Sequence, residues 1–312
     1  MSTFEKIQGR NIRSLSSDPS PAAAGEMWYN STSKSLKGVV LTGAWSASGS
    51  LNVSRSIAGL NAGTQTTGIA FGGYTAAPTA NTTSTETYNG SSWTNVTALT
   101  TARRAGAGFG VQTAAVLGGG YQPGGATSGT EEYNGSAWTG GGNMPAGFHN
   151  TSGCGTLTAG LSNGASESPT QTCKYDGTSW AAASSLPSGR TQGGTAGTSA
   201  AAIAAGGFGT NSYEWGGSSW TAAPALNSSR SGGNGMFGIS TAAIIGGNPS
   251  PTATEEWNGT NWSTTGATMG TPRNSYGMGG TTTAGLAFGG SPYTASTEEY
   301  NLAASTKTFT TS

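Results

Sequence analysis

One short phrase recurs along the chain. Residues 85–94 read TETYNGSSWT, 130–139 TEEYNGSAWT, 172–181 TCKYDGTSWA and 254–263 TEEWNGTNWS. Trp recurs at 45, 93, 138, 180, 220 and 262, so the period is 40 to 48 residues. A repeat of that length is one supersecondary unit. Such a unit cannot bury its apolar face alone and is stable only when stacked on its neighbours. Three further anchors keep step with the Trp. An aromatic followed by a turn residue comes first: Tyr88-Asn89, Tyr133-Asn134, Tyr175-Asp176, Trp215-Gly216, Trp257-Asn258 and Tyr300-Asn301. A Gly pair closes a small apolar run at 72–73, 119–120, 206–207, 246–247 and 289–290, with Ala159-Gly160-Leu161 as its weak copy in the third unit. Arg follows each Trp by about ten residues at 55, 103, 190, 230 and 273, with His149 read as its counterpart in the third unit.

Each unit translates into strands. TGIAFGG and TAAIIGG are short apolar runs ending in Gly, as a buried strand requires. TETY, then NG, then SSWT reads as strand, two-residue turn and strand, because Asn-Gly tolerates the positive φ of a tight hairpin. The segment after each Arg is a Gly-rich strand, where a missing side chain permits close backbone approach. Four strands per unit and six units predict an all-β chain folded as a six-bladed β-propeller. Trp45 precedes the first full unit, and its strand is expected to close the ring, with the C-terminus flanking it.

Composition fits this reading. Gly is 54 of 312 residues, while Leu, Ile, Val and Phe together number 35. So few aliphatics in a chain of net charge zero leave the core to aromatics, each burying about 150–250 Å². The nine Trp and ten Tyr supply them. Neutrality offers no electrostatic footprint for nucleic acid. No apolar run is long enough for a membrane span. Cys154 and Cys173 are too few for a disulfide framework and read as small buried thiols.

The Gly pair, Tyr and Trp of each unit resemble the kelch-type propellers. That resemblance covers about 265 residues and implies four-stranded blades. The third unit departs from it most, lacking the Gly pair, the Glu and the Arg.

The charged residues of the repeat invite a chemical reading. Glu stands two residues before the aromatic at 86, 131, 255 and 298. Catalytic groups are usually unique in a chain, whereas these recur with the fold, so repeated Glu and Arg are expected to pair inside the scaffold. The single histidine excludes a two-His zinc site and the multi-ligand site of kelch-type copper oxidases. YDGTSW at 175–180 resembles the Asp-box turn of sialidase propellers, but no arginine cluster or Tyr–Glu pair accompanies it. The chain is therefore read as non-enzymatic, without cofactor, metal or catalytic residues.

The variable segments lie between the Gly pair and the Tyr strand, at 74–84, 121–129, 162–171, 208–211, 248–253 and 291–296. Repetition of the anchors places them on one face. Four carry an aromatic, Tyr74, Tyr121, Phe208 and Tyr293, and these are the candidate ligand-binding residues.

Residues 1–37 do not repeat and are read as a separate segment ahead of a propeller over 38–312. Within them DPSPAAAGEMWYNSTSKSLKG (18–38) resembles a short hairpin element of tailed-bacteriophage tail-fibre and baseplate-associated proteins, carried by Gly25, Met27, Trp28, Tyr29, Asn30, Leu36 and Lys37. The resemblance implies attachment to other tail or baseplate subunits, with Trp28, Tyr29 and Asn30 as candidate attachment residues. It also implies a virion location, homo-oligomeric assembly, and synthesis in the host cytoplasm without a signal peptide. The combined expectation is a tail fibre or tail-tip adhesin whose loops bind host-surface polysaccharide. The competing expectations are a decorative virion protein without a receptor and a propeller glycan hydrolase.

Overall fold

The computed structural model describes residues 12–56, 60–230, 232–233, 235–247 and 253–309. Every regular element among them is a β-strand. Of the variable segment at 248–253 all but the last residue lies outside the described residues, as do the first eleven residues. The chain divides into two compact units. One takes in the chain up to Gly43 and from Leu302 onward, and the other runs from Ala44 to Asn301.

In the first unit, strands β1 (Arg13–Leu15), β2 (Met27–Asn30) and β3 (Ser35–Ser48) are neighbours, β3 continuing into the second unit. β2 and β3 form an antiparallel hairpin with Met27 opposite Gly38 and Asn30 opposite Ser35. The alternation of β2 sends Trp28 and Asn30 inward and leaves Met27 and Tyr29 exposed. Asp18, itself exposed, ties the hairpin's side chains together. Its Oδ1 accepts from Trp28 Nε1 at 3.0 Å and Asn30 Nδ2 at 2.7 Å, and its Oδ2 pairs with Lys37 Nζ at 2.7 Å.

In the second unit the repeat becomes a series of small antiparallel sheets, an arrangement that fits a β-propeller. Three stand as separate four-stranded sheets, such as Ser152–Thr156, Ala159–Asn163, Thr172–Tyr175 and Trp180–Ala182. In each, the aromatic that ends the third strand faces the Trp that starts the fourth, as with Tyr175 and Trp180. The two rings sit 4.9 to 5.5 Å apart between centroids in five such pairs. That Trp also reaches a ring of another sheet, as Trp138 does Phe71 at 4.9 Å and Trp93 does Phe288 at 5.0 Å. Aromatics thus fill the space between sheets in place of the missing aliphatics.

Three details differ from the sequence reading. The turn of the repeated phrase is not a two-residue hairpin, because the strand resumes only at Trp93, leaving Asn89-Gly90-Ser91-Ser92 as the loop. Asn89 Oδ1 accepts the backbone N–H groups of Ser91 and Ser92, and only Gly90 takes positive φ, at 93°. Asn134, Asp176 and Asn258 cap their loops in the same way. A side-chain cap replaces the second positive-φ residue of a tight turn, as Asx-turns do.

In the third unit the counterpart of the first Gly of the pair is Gly164, not the Ala159-Gly160-Leu161 run. Gly164 has φ 62° and lies over the carbonyl of Arg190, as Gly72 lies over that of Arg103. The counterpart of the Arg is Phe148, not His149. The Phe148 carbonyl receives Gly120 N–H as the Arg103 carbonyl receives Gly73 N–H. The sequence reading slipped by one residue there.

A glycine anchor escaped the sequence reading altogether. Gly63, Gly110, Gly155, Gly197, Gly238 and Gly280 recur at the end of the first strand of each unit, with φ between 89° and 124°. A Cβ there would come within 2.2 to 2.4 Å of a carbonyl oxygen on the following segment. This is why the first strand of each repeat cannot do without Gly.

Candidate functional site

The repeated charges are inside. Arg55 pairs with Glu86 at 2.5 Å, Arg103 with Glu131 at 2.9 Å, Arg230 with Glu255 at 2.9 Å and Arg273 with Glu298 at 2.5 Å, all buried. Each carboxylate also accepts backbone N–H groups just after a buried Leu or Met: Asn52 and Val53, Thr100 and Thr101, Asn227, and Gly270 and Thr271. Burial pulls the guanidinium pKa of Arg55, Arg103 and Arg273 down, and the partner carboxylate opposes the shift.

The third and fourth units lack the Glu, and Pro145 and Pro187 stand where the others supply an N–H to it. Opposite Pro145 the pair has become Phe148 and Cys173, packed in one apolar cluster. Arg190 keeps its guanidinium but donates to Asn163 Oδ1 and to the carbonyls of Gly194 and Ala205. Its pKa falls to about 10, chiefly through burial. These groups hold the scaffold, and none faces solvent. Cys154 and Cys173 are both free and buried.

Side chains that vary from unit to unit form a different constellation. Arg104 follows the buried Arg103 and is only half-buried. Its guanidinium lies 4.3 Å from the ring centroid of Tyr74 and 4.8 Å from that of Tyr121. Tyr74 continues to Tyr293 at 6.1 Å, and Tyr121 to His149 at 5.0 Å. The result is a ladder of four rings and one cation, Tyr293–Tyr74–Arg104–Tyr121–His149. A guanidinium held against an aromatic face is stabilised by about 0.5–2 kcal/mol. His149 ends the ladder, its backbone N–H and ring Nδ1 both meeting the carboxylate of Glu167.

The ladder is held by its loops. Tyr74–Ala76 pairs with Thr79–Asn81, and Tyr121–Gln122 with Gly125–Ala126, as two small hairpins. Backbone bridges tie Tyr74 to Ser56 and Tyr121 to Arg104. Asn81 links the two loops, donating to the Tyr121 carbonyl at 2.8 Å and accepting from Arg104 Nη1 at 2.7 Å.

Tyr74, Tyr293 and Arg104 border an open pit of about 290 Å³, completed by Ser56, Ala105, Asn150, Gln192 and Ser275. The volume stands near the lower end of the usual range for small-ligand sites, about 300–1,000 Å³. Ala105, Asn150, Gln192 and Ser275 have φ between 51° and 58°. Together with Gly232 at φ 81°, each stands two residues after the repeated Arg or its counterpart Phe148, so this left-handed turn recurs with the scaffold. Gln192 N–H donates to the Asn150 carbonyl, Gly233 N–H to that of Gln192 and Ser275 N–H to that of Gly232, so the pit wall is braced by backbone.

Of the four loop aromatics named from the sequence, Tyr74, Tyr121 and Tyr293 therefore come together. Phe208 does not join them. It projects from its loop with φ 67° and 67% of its surface exposed. Arg104 and the polar pit residues were missed, although Arg104 is the one Arg of units 44–301 outside the repeat. Of the hairpin residues, Trp28 and Asn30 are buried while Tyr29 reaches the surface. Among the described residues no group of three His, Cys, Asp or Glu side chains comes together to hold a metal ion. Comparison with known proteins found no family model and no curated protein that matches the chain.

Proposed function

We propose that residues 44–301 close into a six-bladed kelch-like propeller, and that the chain is a tail fibre or tail-tip adhesin of a tailed phage that binds host-surface glycan in the loop-face pit. Two series of side-chain bonds support the ring. Each repeated Trp donates its Nε1–H to a Ser or Thr one unit earlier: Trp138 to Thr85, Trp180 to Thr130, Trp220 to Thr172 and Trp262 to Ser212. Trp93 of the first unit donates to Thr297 of the last, and Trp45 to Thr254 of the fifth. Read this way, Trp45 occupies the sixth Trp position and β3 supplies the outer strand of the last blade. Tyr88 donating to Glu299 at 2.6 Å, as Tyr300 does to Glu256 at 2.7 Å, points the same way.

The observation that carries the binding role is the ladder itself. Planar rings beside hydroxyl and amide groups offer stacking faces and directional hydrogen bonds, which suit the alternating apolar and polar faces of a sugar. The attachment role rests on the GEMWYN hairpin, whose surface side chains are Met27 and Tyr29. One experiment separates the two roles. Full-length chain carrying Tyr74→Ala and Tyr121→Ala is expected to lose about tenfold or more in affinity for host glycan, as loss of aromatic contacts predicts, while still entering virions. Chain carrying Met27→Ala and Tyr29→Ala should bind glycan normally and fail to enter virions. Absence of glycan binding by the unmodified chain would overturn the adhesin reading in favour of a purely decorative one.

A further inference from the structure

Arg104 stands apart from the other guanidinium groups of the second unit. Four of those are paired with carboxylates in the interior, and Arg190 is enclosed by an amide and two carbonyls. Arg104 borders the pit, and among the described residues no carboxylate lies within salt-bridge distance of it. Its one side-chain hydrogen bond goes to the neutral Asn81. The remaining pit side chains are neutral, and the nearest acid along the ladder, Glu167, is held by His149.

The guanidinium carbon lies over both Tyr rings, at 4.3 and 4.8 Å from their centroids, and the N–H groups are what it has to make hydrogen bonds with. A guanidinium edge carries parallel N–H donors at the spacing of a carboxylate's two oxygens. Stacking also removes much of the side-chain freedom that binding would otherwise have to arrest. Lys in the same place would offer a point charge without the planar fork.

Building on the glycan-binding reading, we infer that the pit is selective for an acidic saccharide, whose carboxylate is taken by the edge of Arg104 while its ring lies against Tyr293. Ser56, Asn150, Gln192 and Ser275 are left to meet the hydroxyl groups. A neutral sugar would leave a positively charged donor edge facing the ligand without an acceptor of matching charge.

The test uses the full chain, an oligosaccharide of uronic acid units, and the same oligosaccharide with its carboxyl groups reduced to alcohols. Binding is followed by calorimetry for the unmodified chain, Arg104→Gln and Arg104→Lys. The acidic form should bind at least about tenfold more tightly than the reduced form, the usual scale of a charge-assisted hydrogen bond. Arg104→Gln should erase that preference, lowering affinity for the acidic form by about tenfold more than affinity for the reduced form. Arg104→Lys should keep only part of the preference. Equal binding of both forms, or an equal loss for both in Arg104→Gln, would overturn the acidic selectivity and leave the glycan reading standing. If neither form binds, or if Tyr74→Ala and Tyr121→Ala do not weaken binding, the glycan reading fails and this inference falls with it.

Discussion

Arg103 and Glu131 occupy positions that Phe148 and Cys173 fill one unit later, and the change is made in concert. Removing one partner of a buried pair leaves an uncompensated charge, whereas replacing both by packed apolar groups is nearly neutral. The third partner is the backbone. Glu131 also accepts the N–H groups of Thr100 and Thr101, and Pro145, in the place of Thr100, has none to offer. Glu131→Ala is therefore expected to destabilise the fold by about 3–5 kcal/mol. The triple variant Thr100→Pro, Arg103→Phe, Glu131→Cys should recover most of that loss in urea denaturation. A triple variant as unstable as Glu131→Ala would show that the three positions do not act as a set. The recurring Glu and Arg were legible in the sequence because they keep the period. Their dependence on the residue after the Leu or Met was not, since a backbone N–H leaves no mark in a sequence until a Pro removes it.

At the level of elements, the hairpin of the first unit depends on one carboxylate. Hydrogen bonds, first from Lys37 and then from Asn30 and Trp28, pull the Asp18 pKa from its ordinary 3.8 to about 2. A depressed carboxylate stabilises the folded form above its ordinary pKa, and that contribution is lost as pH falls through the folded value. The hairpin should thus stay intact at pH 4 and above and loosen as pH approaches 2. The indole N–H resonance of Trp28 will report it, shifting in that window. Asp18→Asn should remove the pH dependence, and an indole resonance unchanged down to pH 2 would contradict the assignment. The repeated phrase carries a related lesson. Asn-Gly correctly signalled a turn, but its length was set by the Asn side chain capping two N–H groups, which lets the strand resume two residues later than a tight hairpin would.

On the scale of the molecule, the proposed ring makes Trp45 equivalent to Trp138, although one stands at the start of the repeat and the other within it. Trp138 is buried, whereas Trp45 is half-buried between Phe237 and Tyr300. Truncating a buried Trp costs about 3–5 kcal/mol. Trp138→Ala should fall in that range, and Trp45→Ala at roughly 2–3 kcal/mol after allowance for its exposure. Both are measurable by chemical denaturation of the full chain. A change near zero for Trp45→Ala would argue against β3 as the closing strand.

The strand content, the period, the positions of the buried aromatics and the recurring charges were all determined by the sequence alone, because each is a local pattern repeated until its spacing shows. The ladder of Tyr293, Tyr74, Arg104, Tyr121 and His149 was decided only by the tertiary structure. Tyr74 and Tyr121 share one repeat position and Arg104 and His149 another, but the residue type at those positions changes from unit to unit, and Arg104 stands beside a scaffold Arg that masks it in the sequence. Only the packing of successive sheets brings those loops together, and that packing places residues remote in the chain within stacking distance.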